Sequence, residues 1–256
     1  MDPFQYGNPG LMCETGSGRA TLPPAPRDHM PATPPPKRHP YHQWAPDARA
    51  LDLVGDKWTL LIVRDLAGGP RRFVELQRVL PGISTEQLRS RLNRMVADGL
   101  LTRQRYREVP PRVDYELTQR SRELLPVLGA LARWGYDWAW TAPRDGEAID
   151  IGAILRIAPG LIEAPAQLAG TVKLSVDRPD GTTRTYAITL DRGETTISEQ
   201  DVPDAAAHIC GSEADWIEAL GPDAEHGTLS VEGDDRLAKA VLDGVGASGA
   251  RRVRAA

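Results

Sequence analysis

Cysteine is nearly absent from this chain of 256 residues. Cys13 and Cys210 are too few for a disulfide framework, and their spacing suits no metal site. No stretch approaches the ~20 consecutive apolar residues that a membrane-spanning helix needs. The amino terminus lacks the basic start and apolar run of a secretory signal. These absences lead to a cytoplasmic expectation with no membrane partner. Neither a Gly-rich phosphate loop nor metal-ligand spacing occurs, so no cofactor or metal is expected. Catalysis is not expected either: His208 and Cys210 fall on one face of a predicted strand, but no third group is seen to orient them.

What is present is unevenly distributed. The net charge is −4. Residues 47–140 carry 16 Lys/Arg against 12 Asp/Glu, whereas residues 141–246 carry 8 against 20. Such a split suits one half to a polyanion and leaves the other for a different task. Eleven of the 22 prolines lie in the first 46 residues. Residues 1–44 therefore read as a disordered Pro-rich arm, and 247–256, rich in Ala, Gly and Arg, as a basic disordered tail. Between these ends the periodicity is mainly helical over 45–142, then mixed over 150–246, with a polar linker near residue 145.

In the basic half, Ala50, Leu51, Leu53 and Val54 form the apolar stripe of a short helix ended by Gly55. Asp56 is placed to cap a second helix over 57–67, with Trp58, Leu61, Ile62 and Leu66 inward. A third helix is expected over 72–80. After the Pro81-Gly82 turn, Ser84 and Gln87 have the spacing of a capping box that opens a fourth. Leu88, Leu92, Met95 and Val96 face inward on that helix. Thr85, Glu86, Gln87, Ser90, Asn93 and Arg94 lie opposite, flanked by Arg89 and Arg91. Arginine can pair bidentately with guanine, and Gln or Asn with adenine, so this face suits a major groove. A solvated helix face would look the same, and the next segment favours the first reading. Arg103, Arg105 and Arg107 alternate along a predicted strand that returns from Arg112 after Pro110-Pro111. Phosphate oxygens would relieve the repulsion of three like charges on one face. The DNA-contacting residues expected are thus Ser84, Thr85, Gln87, Arg89, Ser90, Arg91, Arg94, Arg103, Arg105, Arg107 and Arg112.

The run Leu51-Asp52-Leu53-Val54-Gly55-Asp56-Lys57-Trp58-Thr59-Leu60-Leu61-Ile62, followed by Arg72-Phe73-Val74-Glu75-Leu76, resembles the HxlR-type winged-helix regulators. So do Pro81-Gly82-Ile83-Ser84, Asp98-Gly99-Leu100-Leu101, and the segment Val109-Pro110-Pro111-Arg112-Val113-Asp114-Tyr115-Glu116-Leu117-Thr118. The resemblance spans about 45–140. It implies a homodimer, a recognition helix starting near Ser84 and a wing around Pro110-Pro111. Many members carry a Cys-Pro step before the first helix. Here that step is Ala45-Pro46, so thiol sensing by that route is not expected. A long helix over 119–140 carries Leu124, Leu125, Leu128, Leu131, Trp134 and Trp138, more apolar surface than a small core needs. Leu124, Leu128, Leu131, Trp134 and Trp138 are therefore the expected dimer contacts, packing of this stripe onto the second half being the alternative.

In the acidic half, Val172, Leu174 and Val176 alternate, Pro179-Asp180-Gly181 turns the chain, and Tyr186, Ile188 and Leu190 alternate back. Further strands are expected at 195–198, at 206–210 and around Leu229 and Val231, with helices after Ser212 and after Asp234. Gly170-Thr171-Val172-Lys173-Leu174, Glu213-Ala214-Asp215-Trp216 and Gly227-Thr228-Leu229-Ser230-Val231-Glu232-Gly233-Asp234 resemble sterol-carrier-protein-type domains. That resemblance implies a tunnel for a hydrophobic small molecule, lined by Leu174, Ile188, Trp216, Leu220, Leu229, Leu237 and Val241. A plain packed core would show the same pattern.

The expected fold class is α+β, an N-terminal winged helix-turn-helix followed by an antiparallel sheet with helices on one face. The expected function is a homodimeric regulator of double-stranded operator DNA, modulated by a hydrophobic small molecule. The alternative is a hydrophobic small-molecule carrier whose helical half serves dimerisation.

Overall fold

The computed structural model describes residues 40–106, 112–222 and 228–246. Helix α1 (Pro46–Val54) begins with proline in its first turn, where a missing N–H costs nothing. Ala48 and Val54 are buried, whereas Ala50 and Leu51 point outward, contrary to the expected stripe. Asp56 caps as expected: its carboxylate accepts from the Trp58 and Thr59 amides at 2.9 and 3.1 Å and from the Thr59 hydroxyl. The α-helical turns themselves start two residues late, as α2 (Thr59–Leu66). A two-residue strand, β1 (Arg71–Arg72), precedes α3 (Phe73–Val79).

Helix α4 (Thr85–Ala97) is bracketed by glycines with positive φ. Gly82, at φ 82°, turns the chain toward Ser84. Gly99, at φ 70°, lets the chain leave helically bonded, with Leu100 N donating to Met95 O at 2.8 Å. Strands β2 (Leu101–Tyr106) and β3 (Arg112–Leu117) follow, and the sheet order β1-β3-β2 ties the wing to the start of α3. The single helix expected over 119–140 is two helices, α5 (Gln119–Arg122) and α6 (Leu125–Trp138). Pro126 explains the break, because it has no N–H for a continuing ladder but fits a first turn.

Residues 141–149 are exposed and carry neither helix nor strand. Two short helices follow, α7 (Ile151–Leu155) and α8 (Ala158–Leu161). Next come β4 (Gly170–Asp177), β5 (Thr183–Asp191), β6 (Glu194–Ser198), β7 (Ala207–Ser212), α9 (Glu213–Leu220), β8 (Ser230–Gly233) and α10 (Asp235–Val245). The five strands are ordered β6-β5-β4-β7-β8. The sheet is mixed rather than antiparallel, because β7 pairs with β4 in parallel from Val172↔Ala207 to Asp177↔Ser212. After the β4-β5-β6 meander fills one side of β4, the chain crosses over and adds β7 on the other side. Helices α8, α9 and α10 pack against this sheet. Among the described residues, no helix is long and apolar enough to cross a membrane.

One apolar cluster runs from Val54 through to Val245. Polar groups join the two sheets as well. The Arg156 side chain is 0% exposed and bonds Asp65 on α2, Asp150 before α7 and Glu199 after β6, at 3.2, 2.9 and 2.6 Å. Glu199 Oε1 also accepts from Arg71 at 2.5 Å, so one carboxylate bridges the base of the wing sheet and the second half. Burial opposes ionisation of Asp150, but the Arg156 guanidinium beside it prevails and holds its carboxyl below the ordinary range. Burial likewise opposes the charge on Arg156, and Asp150, Glu199, Tyr186 and Asp65 more than offset it.

Helix α6 serves both neighbourhoods. On one side Arg133 donates to Gly160 O at 3.1 Å and Tyr136 to Val245 O at 2.6 Å. Just past its end, the Trp140 indole donates to Leu220 O at 3.0 Å. On the same side its backbone meets α8 through two glycines. A Cβ on Gly129 would fall on the Gly160 carbonyl, and one on Gly160 would fall on the Leu125 carbonyl. The other side of α6 faces outward.

Candidate nucleic-acid interface

Helix α4 buries Leu88, Leu92 and Met95 and presents Glu86, Gln87, Arg89, Ser90 and Asn93 to solvent. The capping box is formed: Gln87 N donates to Ser84 Oγ, and Ser84 N donates to Gln87 Oε1, both at 3.1 Å. That bond has a cost for recognition. The bidentate Gln–adenine pairing needs the amide oxygen that the cap already uses. Thr85 is half-buried, its hydroxyl accepting from Gln77 at 2.8 Å. Glu86, Arg89, Ser90 and Asn93 are exposed on this helix and form no side-chain hydrogen bond or ion pair with another described residue; of these, Arg89, Ser90 and Asn93 carry a donor suited to a base edge. Asn93 was seen on this face from the sequence but not singled out.

The arginines divide in the same way. Arg91 pairs with Asp56 at 3.0 Å, Arg94 with Asp98 at 3.0 Å, and Arg112 Nε with Asp114 at 2.8 and 2.9 Å. By contrast, Arg89, Arg103 and Arg105 are exposed and form no ion pair with any described residue. Arg103 and Arg105 stand opposite Tyr115 and Val113 in the wing register. Arg107 lies outside the described residues, as does the Pro110-Pro111 turn. Between α4 and the wing runs an open cleft of about 340 Å³, lined by Phe73, Arg89, Asn93, Arg103, Val113 and Tyr115. Two of this trio, Arg89 and Arg103, therefore converge on one concavity.

The outward side of α6 carries Val127, Leu131, Trp134 and Trp138, which are 51, 53, 59 and 66% exposed. Their spacing of four, three and four is that of a helix–helix seam. Leu128 instead faces the chain's own core and Leu124 packs against it, so neither belongs to this stripe. Val127 was missed, although the heptad spacing from Leu131 backward points to it. Trp44, 96% exposed, and Tyr41 add further apolar surface just before α1.

In the second half Leu174, Ile188, Trp216, Leu220, Leu229, Leu237 and Val241 are all buried within the common core. The Trp216 indole donates to Ser175 O at 2.9 Å. His208 meets the Ser175 hydroxyl through Nε2 at 2.9 Å, a neighbour that sequence spacing does not reveal. Among the described residues, no group of His, Cys, Asp and Glu is arranged to hold a metal ion.

The family model for HxlR-like helix-turn-helix proteins matches residues 53–142. Fifty-two residues precede the match, so the helix-turn-helix is internal to the chain rather than at its amino terminus. The HTH-type transcriptional regulator sll1512 of Synechocystis is 44% identical over 93 residues, covering 36% of this chain and 69% of that protein. The HTH-type transcriptional regulator BH0655 of Halalkalibacterium halodurans is 43% identical over 94 residues, 36% of this chain and 83% of its own length. Among solved structures, the reduced form of the redox regulator HypR is 34% identical over 36% of this chain and 92% of that one, with a TM-score of 0.35.

Proposed function

This chain belongs to the HxlR-like helix-turn-helix family, and from that premise we propose that it is a homodimeric transcriptional regulator that sets α4 into the major groove of duplex DNA. The observation that carries the reading is the trio Arg89, Arg103 and Arg105. These cations are exposed together around α4 and the wing while neighbouring arginines are paired with carboxylates. In this assignment Arg103 and Arg105 neutralise phosphates and position the protein. Arg89, Ser90 and Asn93 read base edges. Residues 45–142 do the reading, and residues 150–246 brace and modulate it.

Two copies meet through the stripe Val127, Leu131, Trp134 and Trp138. That places two α4 helices on successive major grooves, ~34 Å apart, of a near-palindromic operator. Fluorescence anisotropy with genomic fragments at several salt concentrations tests the proposal. Nanomolar preference for particular fragments over bulk DNA is expected, with sedimentation of the full chain as a dimer. Equal affinity for all fragments would leave the carrier function standing instead.

A hydrophobic effector is the second part of the proposal. It is supported by the resemblance of the second half to sterol-carrier-type domains and not by a preformed cavity, since its seven candidate lining residues are packed core. Such an effector would have to part α10 from the sheet. Native mass spectrometry of the freshly isolated protein decides it, with a bare chain mass counting against the effector.

A further inference from the structure

The cleft between α4 and the wing has a lining whose chemistry selects a ligand. Phe73, Val113 and Tyr115 offer apolar and aromatic surface, Arg89 and Arg103 supply two guanidinium groups, and Asn93 an amide. No carboxylate lines the cleft, and neither arginine pairs with one among the described residues. Its volume of about 340 Å³ is that of a small-molecule site. An apolar molecule would leave both cations uncompensated. A small hydrophilic anion would leave the aromatic surface wet. A flat ring system bearing one carboxylate satisfies both, through bidentate pairing to arginine and ring contacts with Phe73 and Tyr115.

We infer that this cleft binds a planar aromatic monoanion, and that its occupancy withholds the reading face from DNA. The binding stands on the cleft alone. Its regulatory consequence rests on the proposed DNA-binding function, because the ligand claims Arg89 and Arg103, two of the cations offered to the duplex. By linkage, DNA weakens the ligand by the same factor.

The test uses the full chain without DNA, titrated with 2-naphthoate and followed by calorimetry. Saturable binding at or below about millimolar is expected. Arg89→Ala and Arg103→Ala should each weaken it about tenfold, as should replacing the probe by uncharged methyl 2-naphthoate. Val113→Trp, checked by circular dichroism to be folded, should abolish it by filling the cleft. Absence of saturable binding overturns the inference, as does affinity unchanged in all three variants. Inorganic phosphate binding as tightly as naphthoate also overturns it, since the aromatic surface would then play no part. In a second arm, naphthoate should raise the dissociation constant for DNA in step with occupancy. DNA affinity indifferent to a bound naphthoate sinks the regulatory claim. Failure of the protein to bind any DNA would sink the proposed function while leaving the ligand result intact.

Discussion

At the junction of the two sheets, Arg156 is wholly buried and shared among Asp65, Asp150 and Glu199. On the α4–wing face, Arg89, Arg103 and Arg105 stand in solvent without a carboxylate among the described residues. The same side chain thus does opposite work in two places. A buried guanidinium loses its hydration and is tolerable only when carboxylates offset the charge, as three do here through Nε and Nη1, although Nη2 is left without a partner. An exposed, unpaired one keeps its charge available to a polyanion. The lesson is that the surplus of basic residues in the first half is a poor map of the interface. Arg64, Arg71, Arg91, Arg94 and Arg112 contribute to that surplus, and each is already held by an acid. What marks the proposed interface is the part of the remainder after pairing that gathers around α4 and the wing, because Arg49 and Arg78 are also exposed without an ion pair to any described residue.

The sharpest way to break this contrast is Arg156→Met, which leaves Asp65 buried with Arg64 alone. Urea unfolding of the full chain should lose about 3–5 kcal/mol, the usual cost of orphaning one member of a buried pair. A loss below about 1 kcal/mol would put the junction on a par with surface pairs. Gly160→Ala drives a methyl into the Leu125 carbonyl and should cost about 1–3 kcal/mol by the same measurement.

On the other side of the contrast, Arg103→Ala with Arg105→Ala should leave the unfolding midpoint nearly unmoved. The same double variant should lower the slope of log affinity against log salt by about 2. Arg91→Ala, which removes a cation already paired with Asp56, should lower that slope far less, and equal changes would mean that pairing does not withhold an arginine from DNA. Asn93→Ala should relax preference at one base position by about 1–3 kcal/mol in competition binding, whereas Gln87→Ala should act chiefly on stability through its cap. The smallest effect is acid sensitivity. The folded Asp150 pKa lies below its ordinary 3.8, so its ion pair is fully present above that value and is lost as pH falls through the lower folded one. Below about pH 4 the wild type should lose stability more steeply than Arg156→Met.

Much of the reading head was legible because its determinants are local. Ser84 and Gln87 sit three apart and form the box they promise. Gly181 has the positive φ, 78°, that the turn between β4 and β5 requires. What escaped is non-local or ambiguous in period. Side chains alternate identically in parallel and antiparallel strands, so Val172, Leu174 and Val176 hold no sign of the direction of β7. The junction assembles residues 65, 71, 150, 156 and 199, which no spacing rule connects. Along 119–140 the apolar stripe was visible, but only packing separates Leu128, turned inward, from Val127, turned out. The free arginines emerge only once each acid's partner is known.

The seam between Gly129 and Gly160 bears on how this protein can be cut. With no side chain between them, the two backbones are each other's surface, and α6 has nothing else shaped to cover that strip. Trimming the chain back to its family-matched part would strand peptide groups in water and deprive Asp65 of Arg156 in one stroke. Here the reading head is not a detachable cassette, and grafting it elsewhere requires carrying α8 and the sheet behind it.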